Sequence, residues 1–134
     1  MMSKNNVKIM LIDDDPINNL LNTKLLKKHS LLFDIQIEII EYQDGQSAIE
    51  AIQSLIKNSN VLPDIILLDI NMPIMNGWDF LDRYIKFNLP ITLYMLTSSI
   101  AQDDINKAKQ YKQIKKFMIK PLSDENLNTI FENL

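Results

Sequence analysis

Apolar residues are arranged in two alternating ways along this chain. Four continuous runs, Ile9-Met10-Leu11-Ile12, Ile65-Ile66-Leu67-Leu68, Ile91-Thr92-Leu93-Tyr94-Met95-Leu96 and Phe117-Met118-Ile119, have the length of strands buried on both faces. Between them, apolar residues recur at helical spacing. A helix is expected from about Pro16 to Lys28, with Ile17, Leu20, Leu21 and Leu25 as its buried face and Pro16 in its first turn. Ile35, Ile37 and Ile39 alternate with Gln36 and Glu38, the period of a half-exposed strand at a sheet edge. Further helices should carry Ala48, Ile49, Ile52, Leu55 and Ile56, then Trp78, Leu81, Tyr84 and Ile85, then Ile105, Ala108 and Tyr111 within 101–112. A last helix begins near Ser123, with Leu127, Ile130, Phe131 and Leu134 in register. Gly45 and Gly77 precede helices, in turns where positive φ is expected.

Five strands alternating with five helices imply crossover connections over a parallel sheet. The doubly wound order 2-1-3-4-5 puts the alternating strand at an edge and the all-apolar strands inside. This is a flavodoxin-like (βα)5 three-layer α/β sandwich. In such sheets ligands bind at the carboxyl ends of the strands. Here those ends are Asp13-Asp14-Asp15, Asp69, Thr97 and Lys120-Pro121. Three carboxylates about 4–6 Å apart repel by about 3–4 kcal/mol per pair at an effective dielectric near 20. A fold tolerates that only with compensating cations. Lys120 supplies one charge, and Mg2+ (or Mn2+), a hard ion that prefers oxygen, suits the rest.

Composition narrows the choice. The 134 residues are enough for one domain, expected over 1–134 with residues 1–6 as a flexible tail. A net charge of −3 argues against direct nucleic-acid binding. The absence of cysteine excludes disulfides, zinc-thiolate sites and thiol catalysis, and the single histidine, His29, is expected to be solvated or capping at a helix end. The polar first residues are no signal peptide, and no apolar stretch approaches the roughly 20 residues that span a bilayer. A cytoplasmic protein without membrane insertion is expected.

The segments Leu11-Ile12-Asp13-Asp14-Asp15-Pro16, Leu67-Leu68-Asp69-Ile70-Asn71-Met72-Pro73 with Asn76-Gly77, Met95-Leu96-Thr97-Ser98-Ser99 and Phe117-Met118-Ile119-Lys120-Pro121 resemble, in order and over the whole chain, the receiver domain of two-component response regulators. Each motif alone is weak; the set is specific. The resemblance implies that Asp69 accepts a phosphoryl group from a sensor histidine kinase or histidine phosphotransfer protein. Asp14 would ligate Mg2+ directly, Asp13 would act largely through metal-bound water, and the Asn71 backbone carbonyl would complete the protein's ligands. Thr97 and Lys120 would contact the phosphoryl oxygens, Phe117 would be the switch aromatic, and Asn71 and Ser99 would tune phosphoryl lifetime. Lys120-Pro121 would carry a cis bond.

Plainer readings compete at several positions. Asp15 is best read as the cap of the first helix, and Phe117 is as good a core residue as a switch. Lys107, Lys109, Lys112, Lys115 and Lys116 read first as a solvated face, and second as a surface for an acidic partner. A flavodoxin-type FMN carrier would need a glycine- and hydroxyl-rich phosphate loop where three aspartates stand. A small Mg2+-dependent phosphatase of the haloacid-dehalogenase type would need a second aspartate where Asn71 stands. The reading is therefore a signalling phosphoacceptor, not an enzyme, monomeric or weakly dimeric, signalling through its 4-5-5 face to a downstream protein. A receiver cut from a hybrid kinase or multidomain regulator is the alternative.

Overall fold

A computed structural model describes residues 6–134. The expected tail over 1–6 lies outside the described residues except for Asn6, which opens the first strand. The elements in chain order are β1 (Asn6–Ile12), α1 (Pro16–Leu32), β2 (Gln36–Tyr42), α2 (Gly45–Lys57), β3 (Ile65–Asp69), α3 (Gly77–Tyr84), β4 (Thr92–Thr97), α4 (Gln102–Ala108), β5 (Ile114–Ile119) and α5 (Asp124–Glu132). A 3-10 turn, Ile85–Phe87, follows α3. The strands form one parallel sheet in the order β2-β1-β3-β4-β5. Among the described residues, no helix is long and apolar enough to cross a membrane.

The continuous strands divide their side chains by the period of two. Met10, Ile12, Ile66, Leu68, Leu93 and Met95 pack on α2 and α3 through Ile49, Ile52, Trp78, Phe80 and Leu81. Ile9, Leu11, Ile65, Leu67, Tyr94 and Leu96 pack on the other face with Leu26 of α1 and Leu127, Ile130 and Phe131 of α5. β2 is the half-exposed edge that its alternation indicates. At the opposite edge, β5 shifts register between Leu93 and Tyr94 of its neighbour, which leaves Lys115 as the extra residue.

Parallel pairing brings the strand ends level. Ile12 pairs with Leu68, Asp69 with Leu96 and Thr97 with Ile119. The next peptides keep the alignment: Asp13 N donates to Tyr42 O at 3.0 Å, Ile70 N to Leu96 O at 3.1 Å and Lys120 N to Thr97 O at 2.8 Å. Ladder hydrogen bonds thus fix where each polar ending stands.

Several expectations need correction. α1 runs to Leu32, and its buried stripe is Asn19, Asn22, Leu26, His29 and Ser30, while Ile17 is 74% exposed and Leu20 and Leu21 are exposed as well. Of the expected apolar face, Leu25 packs half-buried against the core, and the other three residues look outward. Asn19 and Asn22 take its place because nearby backbone needs partners: Asn19 Nδ2 donates to Asp13 O at 3.0 Å, and Asn22 Oδ1 accepts from Leu122 N at 3.5 Å. His29 is buried rather than solvated. Its Nε2 lies 2.6 Å from Asn128 Oδ1, and its ring packs on Phe33 and Phe131. α4 ends at Ala108, short of the expected 112.

Neither glycine has positive φ; the left-handed residues are Asp34, Ser59, Ile74 and Asn88. Gly77 is needed for close approach instead. A Cβ there would stand 2.8 Å from Asp69 O and 2.9 Å from Ile70 Cα, so α3 starts tight against the end of β3.

Candidate functional site

Asp13 and Asp69, each 2% exposed, end the adjacent strands β1 and β3, and Asp14 sits beside them nearer solvent. One carboxylate oxygen from each of the three lies within 4.8 Å of the others. From the end of β5, Lys120 Nζ reaches Asp13 Oδ2 at 3.1 Å and Asp69 Oδ1 at 3.2 Å. The sequence expectation for these four residues thus matches where the strands place them.

Local backbone fixes the cluster. Asp13 Oδ1 accepts from Asp15 N at 2.9 Å, and Asp15 Oδ1 in turn accepts from Ile17 N at 2.9 Å, which caps α1. Asp15 is therefore a cap, as its position beside Pro16 indicates. Asp69 Oδ1 accepts a longer bond from Asn71 N, at 3.4 Å. After β3 the chain turns through Pro73, Ile74 and Met75 into a capping box, in which Asn76 Oδ1 accepts from Asp79 N at 2.9 Å and Asp79 Oδ2 accepts from Asn76 N at 3.2 Å. The peptide Lys120-Pro121 is cis.

Electrostatics single out Asp69. Burial, and then the negative charge of Asp13, push its carboxyl from 3.8 up to about 6, although Lys120 pulls the other way. Burial alone would lower the ammonium of Lys120. The hydrogen bond and charge of Asp13, with those of Asp69, outweigh it and hold Lys120 above the ordinary lysine value. One lysine therefore does not neutralise the cluster. Three hard carboxylate oxygens with excess negative charge fit a small divalent cation in both size and charge.

Thr97, 1% exposed, ends β4 between the strands that carry Asp69 and Lys120. Its hydroxyl donates to Ser99 O at 2.7 Å and accepts from Ser99 N at 3.3 Å. Ser99 thus holds the threonine through its backbone. Phe117, half-buried, lies 6.2 Å from the Trp78 ring on the α3 side of the sheet. Two contributors escaped the sequence reading: Asn19, which holds the Asp13 carbonyl, and Asp79 of the capping box. The signal for Asn19 was present, since Asn19, Asn22, Leu26 and His29 share one helical face.

Comparison with known proteins agrees with this geometry. The sequence profile of the family described as response regulator receiver domain matches residues 9–132. The chain is 31% identical over 126 residues to the sensor histidine kinase CheAY of Helicobacter pylori, covering 91% of this chain and 14% of that protein. It is 32% identical over 119 residues to the nitrate/nitrite response regulator protein NarL of Escherichia coli, covering 89% of this chain and 50% of that one. The chain thus spans half or less of the length of these two relatives. Among solved structures, a two-component response regulator from Cytophaga hutchinsonii superposes with a TM-score of 0.83 at 30% identity, covering 98% of this chain and 97% of that one. With five parallel strands in the order 2-1-3-4-5 and this profile over nearly its whole length, the chain belongs to the response regulator receiver domain family of two-component systems.

Proposed function

We propose that this receiver accepts a phosphoryl group on Asp69 from a phosphohistidine of a sensor histidine kinase or histidine phosphotransfer protein. The observation that carries the reading is the cluster itself: three carboxylates within 4.8 Å and one buried ammonium bridging two of them. Asp14 and Asp69 would hold Mg2+ directly, Asp13 through water, and the Asn71 carbonyl would complete the protein's share. When bound, the ion supplies positive charge for the phosphoryl oxygens.

The rest is the work of this chain's residues. Asp69 must be ionised to attack; Lys120 and the Asn71 N–H favour its carboxylate form against burial and Asp13, and a bound cation would add to them. An Asp69 oxygen then bonds to phosphorus as the phosphorus–nitrogen bond of the donor breaks, and that electron pair returns to the imidazole. Lys120 turns part of its charge from Asp69 to the new phosphate. Thr97 leaves Ser99 O and donates to a phosphoryl oxygen, a bond that exists only in the modified state. Phe117 follows, and the α4–β5–α5 face changes for a downstream protein. Asn71, two residues past the acceptor, and Ser99, bonded to Thr97, would set the lifetime of the acyl phosphate by controlling water access.

A second reading, in which this receiver is one part of a longer kinase or regulator, draws on the chain's spanning only 14% of CheAY and 50% of NarL. It leaves the chemistry unchanged. The test is incubation with a small phosphodonor such as phosphoramidate, with and without Mg2+, followed by intact-mass measurement. The wild type should gain one phosphoryl group only with the metal, and Asp69→Asn should gain none. Equal labelling of Asp69→Asn would overturn the proposal.

A further inference from the structure

We infer that the cleft between the starts of β3 and β4 and the end of α5 is a binding site for a small, neutral, largely apolar molecule with one hydrogen-bonding oxygen: an alcohol, phenol or ketone. A cavity of about 320 Å³ lies there, within the roughly 300–1000 Å³ usual for small-molecule sites. Buried Ile65, Ile91 and Ile130 give it apolar walls. Tyr94 lines it too and is 0% exposed, and among the described residues its hydroxyl has no hydrogen-bond partner. A buried hydroxyl left unpaired carries a free-energy penalty that folded proteins rarely leave standing. A ligand oxygen that reaches Tyr94 removes the penalty. Tyr84, the other buried hydroxyl without a partner, is not in the lining and stacks on Phe80.

Other polar groups around the rim are already engaged. Thr92 N donates to Asp64 O at 3.2 Å, Asp64 Oδ2 accepts from Lys8 N at 2.8 Å, and Asn133 Nδ2 donates to Thr129 O at 2.6 Å. The Tyr94 hydroxyl is therefore the polar anchor at the buried end of the cleft.

Charge narrows the ligand. No lysine or arginine lines the cavity, and its charged lining residue is Asp64. α5 ends beside it with no basic residue in its last turn, so helix carbonyls and Asp64 both disfavour an anion at the rim. Any ion at Tyr94 would lose its hydration among Ile65 and Ile130 with no countercharge. Burial pushes the Tyr94 phenol above its ordinary value, so the hydroxyl keeps its proton and can donate. An acceptor oxygen on an apolar body meets each of these conditions.

This cleft stands apart from the acidic cluster. Ile65 pairs with Thr92 at one end of β3 and β4, and Asp69 pairs with Leu96 at the other. The separation is about 13 Å along the strand. The inference therefore does not rest on the proposed function and survives its failure.

The test is an NMR titration of the full chain with p-cresol, p-xylene and p-toluate, followed through the backbone amides, beside thermal melts of the free proteins. p-Cresol should bind saturably and shift the amides of Ile65, Thr92, Tyr94 and Ile130, with those of Asp69 and Thr97 unmoved. The anionic p-toluate should bind far more weakly. Tyr94→Phe deletes only the hydroxyl, so it should weaken p-cresol binding by about three- to tenfold and leave p-xylene binding unchanged. In the free protein the same substitution should keep Tm or raise it. Leu134→Trp, at a rim position that is 43% exposed, should weaken p-cresol and p-xylene alike. The inference is overturned by no saturable binding, which makes water the occupant, or by shifts centred elsewhere. Tighter binding of p-toluate, p-cresol affinity indifferent to either substitution, or a Tm lowered by several degrees in Tyr94→Phe would overturn it as well.

Discussion

Replacing Asp69 with asparagine should stabilise the metal-free fold, although this residue is the proposed acceptor. Burial and Asp13 raise its carboxyl from 3.8 to about 6, so the folded state binds a proton that the unfolded state has released across that interval. Wild-type stability therefore falls as pH rises from about 4 to about 6 and stays low above that. The shift corresponds to about 3 kcal/mol of penalty on the ionised form. Asparagine removes the charge and keeps the shape, but its amide loses the ion pair with Lys120 at 3.2 Å and must find its own hydrogen bonds. After that discount a gain of about 1–2 kcal/mol remains near pH 8, read as a rise of about 3–6 °C in Tm. Near pH 5, about midway through that interval, roughly half of the penalty remains, so the gain should shrink by at least half. In Mg2+ at about 100 times Kd, the wild type recovers about 2.7 kcal/mol from binding and the order should reverse. Thermal melts of both proteins at the two pH values, with EDTA and then with Mg2+, give the comparison. A destabilised Asp69→Asn in EDTA near pH 8, or a gain of the same size near pH 5, would refute the electrostatic reasoning.

Lys120→Met should act in the opposite sense, leaving Asp13 and Asp69 buried without their ammonium and costing about 3 kcal/mol in urea unfolding; Mg2+ should restore part of the loss. Gly77→Ala should cost at least about 2 kcal/mol, because its Cβ would strike the backbone of Asp69 and Ile70; Gly45→Ala should cost less, since it meets the flexible Met75 side chain. A melt that ranks the two glycines the other way would contradict the close-approach argument. Ile74→Asn should raise stability by about 1 kcal/mol, because a β-branched residue stands at φ 68 with a fully exposed side chain, and asparagine tolerates that backbone better.

The sheet was legible because its rules are nearly binary. A continuous apolar run of strand length must be covered on both faces, as Ile65–Leu68 is, and an alternating run such as Ile35–Ile39 belongs at an edge. Once the strands are parallel, the ends of Ile12, Leu68 and Ile119 fix Asp13, Asp69 and Lys120 with no further information. Helix faces were less legible. In α1 the apolar stripe at Ile17, Leu20 and Leu21 looks outward, because burying Asn19 and Asn22 satisfies the Asp13 carbonyl and the Leu122 amide. Hydrophobic periodicity counts apolar surface and is blind to such backbone demands. His29 was misplaced for a related reason: its neighbours Phe33, Asn128 and Phe131 come largely from another helix.

The decisive measurement is calorimetric titration of the wild type with Mg2+ near pH 8, beside Asp13→Asn and Asp14→Asn. Crowded carboxylates that one lysine leaves undercompensated should take up one Mg2+ per chain, each substitution should weaken uptake by at least about tenfold, and affinity should fall as pH drops below about 6 and Asp69 is protonated. No detectable Mg2+ uptake by the wild type, or uptake that neither substitution alters, would contradict the proposed site.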